Sequence, residues 1–143
     1  MKKASGQWLE SAEMDLGSIE QIIQREDLTP VAAFHAQQCV EKCFKAVLEE
    51  RSQRVPKEHS TLKLYGLVQE LVPLEVDAGL LTDLDDLYIE SRYPGEQGLL
   101  PNGKPTLADA QQFQEFAQSV YEQVKRSLDP GPEAASPPCV TEN

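Results

Sequence analysis

An all-α domain, an antiparallel up-and-down bundle of about five helices, is the fold class this sequence predicts. Three observations predict it. Apolar residues recur at three- and four-residue steps in successive stretches, the spacing that lines one face of a helix. Between the stretches stand breaks: Asp27-Leu28-Thr29-Pro30, the mixed run from Arg51 to Glu58 around Pro56, Pro73, and the segment from Pro94 to Pro105. No run alternates apolar and polar residues for long enough to build a sheet.

The first helix is expected from Gln7 to Ile23, where Leu9, Ala12, Leu16, Ile19 and Ile23 form one stripe that Gly17 weakens without ending. Thr29 is expected as the N-cap of the second helix, with Pro30 at its first position, and that helix runs to about Glu50. After the 51–58 loop, His59-Ser60-Thr61 opens a third helix, capped by His59 or Ser60. It carries Leu62, Leu67, Val68 and Leu71 and closes at Pro73. The fourth begins near Asp77, is lined by Leu80, Leu81, Leu84, Leu87 and Tyr88, and ends before Pro94, which pushes its predecessor out of helical geometry. Arg92 thus falls at a helix C-terminus, where positive charge is favoured. Pro94, Gly95, Gly98, Pro101, Gly103 and Pro105 make the next segment an irregular loop. Thr106 to Leu128 is the fifth helix, with Leu107, Ala110, Phe113, Phe116, Ala117, Val120, Tyr121 and Val124 on its buried side. Residues 1–128 therefore form one domain, and 129–143, rich in proline with little to bury, form a tail expected to be disordered.

Composition narrows the functions. The 143 residues are 40% hydrophobic, enough for one core. The chain carries a net charge of -11, and since Asp129, Glu133 and Glu142 are the charged residues of the tail, residues 1–128 still carry -8. A general basic surface for nucleic acid is excluded, so no DNA partner is expected, and any contact with RNA or a nucleotide is local. No apolar run approaches the length of a membrane span, and the sequence Met-Lys-Lys-Ala-Ser-Gly-Gln-Trp lacks the apolar core of a secretion signal, so a cytoplasmic location and no membrane association are expected. Cys39 and Cys43 lie one helical turn apart, which suits reduced buried thiols better than a disulfide, and Cys139 lies in the tail.

The second helix is the most informative element. At about 100° per residue, Cys39, Ala32, Cys43, Ala36, Val47, Val40, Ala33, Phe44 and Leu48 sweep an arc of roughly 180°, wider than a surface helix needs, so this helix is central. His35, Gln38, Lys42 and Lys45 gather within roughly 80° on the opposite side, one above another. Glu41 and Lys45 are spaced for an ion pair along the helix.

The run Ala-Phe-His-Ala-Gln-Gln-Cys-Val-Glu-Lys-Cys-Phe-Lys-Ala at 33–46, followed by His59 at a helix start and by Ser91-Arg92-Tyr93-Pro94, resembles the HEPN domain, the small helical nucleotide-binding domain of higher eukaryotes and prokaryotes. The resemblance covers about residues 5–128. It implies a helical bundle, a homodimer, a nucleotide or RNA ligand, and pairing with a minimal nucleotidyltransferase in a toxin-antitoxin-like system. The ligand residues it and the polar stripe suggest are Gln38, Lys42, Lys45, His59, Arg92 and Tyr93. Arg92 would hold a phosphate bidentately, Lys42 or Lys45 would add charge, and Tyr93 would offer a ring for stacking.

Some members of the family are metal-independent ribonucleases whose signature is an Arg, a short spacer and a His. Arg92 matches the Arg, but no His follows it, and Gln97 cannot supply the proton exchange of an imidazole. The expectation is therefore a binding protein without catalytic residues. The alternative is a ribonuclease that uses Arg92 with His35 or His59, and a third reading is a structural oligomer whose stripe is interface. His35, Cys39 and Cys43 share a face, yet zinc sites usually draw ligands from turns, so neither a metal nor a cofactor is expected.

Overall fold

The computed structural model describes residues 1–91 and 103–129. Within them the elements are α1 (Lys3–Ile22), a short 3-10 turn (Glu26–Leu28), α2 (Thr29–Glu50), α3 (Thr61–Val68), α4 (Ala78–Ser91) and α5 (Leu107–Leu128). The chain is an up-and-down bundle with no strand among the described residues. α2 is its axis and packs against α1, α5, α4 and α3.

The apolar arc explains that position. Ala32, Ala33, Ala36, Cys39, Val40, Cys43, Phe44, Val47 and Leu48 are all buried, and they meet Leu9, Ala12, Leu16 and Ile19 of α1 and Ala117, Val120 and Val124 of α5 in one cluster. Leu64 and Val68 of α3 and Leu81 and Leu84 of α4 close its remaining side. Burial pushes the Cys43 thiol well above its usual range, with Cys39 beside it adding to the shift. Both cysteines are free thiols, as the helical spacing requires. No described helix is long and apolar enough to cross a membrane.

Three helix ends differ from the sequence expectation, two of them for a tertiary reason. α1 begins at Lys3 rather than Gln7. The Lys2 backbone N–H donates to Glu50 Oε1 at 2.8 Å and its Nζ reaches the Glu49 carbonyl and the Ser52 hydroxyl, which ties the start of α1 to the end of α2. Thr29 does not cap α2: its hydroxyl donates to the Pro105 carbonyl at 2.6 Å, and the helix follows directly on the 3-10 turn. α3 stops at Val68, well short of Pro73.

Other ends follow the sequence. Ser60 caps α3, its Oγ accepting from Lys63 N at 3.2 Å. Thr106 and Asp109 form a capping box at α5, with both reciprocal bonds at 3.0 Å. α2 ends in a Schellman motif, Gln53 N donating to Leu48 O and Ser52 N to Glu49 O, with Ser52 at φ 57° where glycine is the usual residue. The tail from 130 onward and the segment 92–102, with the expected disorder of the one and irregular path of the other, lie outside the described residues.

Candidate functional site

The polar stripe of α2 resolves into two networks, each centred on a buried carboxylate. Asp15, from α1, is 6% exposed. His35 Nδ1 donates to its Oδ1 at 2.9 Å and Lys42 Nζ to its Oδ2 at 2.8 Å. Two of the four stripe residues are thereby bound to α1.

Glu41, on α2 itself, anchors the second network. Lys45 Nζ donates to Oε2 at 2.9 Å, Gln37 Nε2 to Oε1 at 3.2 Å, and Gln38 Nε2 to Oε1 at 3.5 Å. His59 Nδ1 shares its proton between the two oxygens at 3.4 and 3.3 Å. Gln37 Nε2 also donates to the His59 backbone carbonyl at 2.7 Å, so the start of α3 is fastened to α2 through side chain and main chain together. Lys45 lies under Trp8, with its Nζ 5.7 Å from the ring centroid. That cover leaves Lys45 only 5% exposed.

A third carboxylate fixes α3 to α4. Asp85 Oδ1 accepts from Thr61 N at 2.8 Å and Thr61 Oγ1 at 2.7 Å, while Oδ2 accepts from Ser60 Oγ at 2.8 Å and Leu62 N at 3.1 Å. A negative group at a helix N-terminus also meets the positive end of the helix dipole. Just before it, the Glu58 carboxyl accepts from Ser60 N and His59 N, and the Ser60 bond above all holds its pKa below the usual glutamate range.

Aromatic rings join these networks across α2, α4 and the residues leading into α3. Phe34 meets His35 edge-on at 5.5 Å and lies nearly parallel to Tyr88 of α4 at 5.9 Å. Tyr88 in turn sits 5.5 Å from His59, tilted by 34°. The last described turns of α4 thus pack on the polar edge of α2. Arg92 and Tyr93 lie outside the described residues and follow Ser91, the end of α4, directly in sequence.

Of the residues singled out in the sequence, Gln38, Lys45 and His59 are brought together at Glu41, and His35 and Lys42 at Asp15. Lys42 and Lys45, expected to lend positive charge to an anion, are instead neutralised by carboxylates, and Lys45 is buried besides. Sequence reasoning missed Gln37, Asp15, Phe34, Tyr88 and Asp85. Asp15 carries a signal, since it stands three residues from Ala12 and four from Ile19 on the apolar stripe of α1, where an acidic side chain needs a partner. Gln37 likewise stands one turn from Ala33 at the edge of the buried arc.

Fold and network define a small helical-bundle domain with one polar helix edge. The family model of the HEPN domain matches residues 5–127. The chain belongs to the HEPN domain family. Its fold is similar to the crystal structure of TT1696 from Thermus thermophilus, at 28% sequence identity and a TM-score of 0.74, covering 89% of this chain and 100% of that one. Among curated proteins no match is found.

Proposed function

We infer that this HEPN protein binds a nucleotide or a short RNA at the edge where α4 meets α2, as a cytoplasmic homodimer paired with a minimal nucleotidyltransferase in a toxin-antitoxin-like system. The observation that carries the ligand reading is the packing of Tyr88 against Phe34 and His59, because Tyr88 stands four residues before Arg92 in the sequence. In this reading Arg92 contacts phosphate, Tyr93, Gln38 and His59 contact the rest of the ligand, and Lys42 and Lys45 balance the charge of Asp15 and Glu41 behind them. Titration calorimetry with AMP and short RNA tests it. Binding by the wild type that weakens about tenfold or more in Arg92→Ala supports the site, in keeping with a charge-assisted bidentate contact. Absence of binding, or binding indifferent to Arg92→Ala, removes it. A monomer at micromolar concentration in sedimentation would count against the dimer.

One observation favours a second reading. His35 and His59 each bond a buried carboxylate through Nδ1, which turns Nε2 away from that carboxylate, as in imidazoles oriented for proton transfer. A metal-independent ribonuclease using Arg92 with these histidines predicts RNA cleavage in the presence of chelator that is lost in Arg92→Ala and in His35→Ala or His59→Ala. Cleavage that survives Arg92→Ala would betray a contaminant.

A further inference from the structure

We propose that the ligand is recognised chiefly through its base, stacked on the outer face of His59, rather than through its phosphates. The inference rests on the ligand reading above and deepens it. It begins from charge. Within the polar edge, Lys42 answers Asp15, Lys45 answers Glu41 and Lys63 lies in the field of Glu58, so each of these cations faces a carboxylate. Around them stand Asp85 and Glu58, each accepting main-chain N–H groups, in a domain of net charge -8 over residues 1–128. A phosphate-led site needs clustered unmatched cations, and the described part of this edge has none.

Rings supply the alternative. Phe34 and Tyr88 are nearly parallel, 12° apart, and Tyr88 passes on to His59, whose side chain is 52% exposed against 27% for His35 at the other end of the row. His59 is therefore the open end of a row of rings. It is also held still: Nδ1 is bonded to both oxygens of Glu41, the carbonyl accepts from Gln37, and the N–H donates to Glu58. A ring fixed before the ligand arrives loses little freedom on binding, and any base has a π-face to lay on it. A base placed there extends the row by one ring.

The test uses the full chain with adenosine, AMP and inorganic pyrophosphate in titration calorimetry. Adenosine and AMP both bind, and pyrophosphate displaces neither. His59→Ala weakens both ligands by about tenfold, within the range of one base-on-ring stack, while His59→Phe, which keeps a flat ring but loses the anchoring Glu41 bond, recovers most of that loss. If AMP binds but pyrophosphate displaces it, or adenosine does not bind, or His59→Ala leaves the Kd unchanged, recognition runs through phosphate or another face, and the proposal falls while the ligand reading stands. If neither AMP nor adenosine binds the wild type, both fall together.

Discussion

Glu41 is the residue whose loss the structure makes most costly. It is 6% exposed and holds Lys45 at 2.9 Å, and Lys45 itself is 5% exposed beneath Trp8. In Glu41→Gln the side chain keeps its shape and loses its charge, so the Lys45 ammonium stays buried without a counterion. Breaking one half of a buried pair costs about 3–5 kcal/mol. The glutamine oxygen can still accept one bond, which offsets about 1 kcal/mol of that loss. A net loss of about 3 kcal/mol is expected, which for a domain of this size lowers Tm by about 9 °C. Urea unfolding followed by circular dichroism measures it directly. The double variant Glu41→Gln with Lys45→Met separates charge from packing. Because an apolar replacement of a whole buried pair is often close to neutral, the double variant should recover to within about 1 kcal/mol of the wild type. A single variant that loses less than about 1 kcal/mol, or a double variant no better than the single, would refute the claim that a buried counterion holds this junction.

Three further outcomes follow from the geometry. Asp85→Asn replaces an all-acceptor group facing four donors with one that carries its own donors, and should cost about 2 kcal/mol, read as faster amide exchange across α3 than across α5. Ser52→Gly relieves a left-handed residue at the end of α2 and should gain about 0.5 kcal/mol in urea unfolding, the relief exceeding the extra freedom of the unfolded chain. For Cys43 the folded thiol is pushed up by burial while the unfolded one ionises near its ordinary value, so above about pH 8.5 the unfolded state holds fewer protons and stability falls by up to about 1.4 kcal/mol per pH unit. Below that pH the thiol is protonated in both states and contributes no slope. Cys43→Ala should flatten the fall between about pH 8.5 and 9.5, and an unchanged slope would show that this thiol does not cause it.

What is legible in the sequence is what depends on neighbours along the chain. The buried arc of α2, the Ser60 cap and the extent of α5 each rest on residues within a turn or two of one another. What is not legible depends on partners far away. Thr29 has the chemistry of a cap, and only the arrival of the Pro105 carbonyl, 76 residues later, turns its hydroxyl elsewhere. α1 starts early because Lys2 meets the end of α2, 48 residues on. The site shows the same division. His35, Gln38, Lys42 and Lys45 do share a side of α2, as their spacing requires. Periodicity cannot say which carboxylate each will find, and it counts Lys45 as an outward charge because Trp8, which covers it, lies on another helix.

That division changes what the polar stripe is for. Asp15 joins α1 to α2, Glu41 joins α2 to the start of α3, and Asp85 joins α3 to α4, so a series of carboxylates runs through consecutive helices. Each is satisfied by lysine, imidazole Nδ1 or backbone N–H groups, which uses up the local positive charge on internal joints. These joints leave the His59 side chain 52% exposed. In the proposed site these lysines therefore add little attraction for an anion, and the edge would discriminate by shape and stacking. In the proposed site, an acidic domain built this way would gain selectivity for a base over bare phosphate without any change of net charge, because the same carboxylates that cancel its lysines also hold its histidine rings in place.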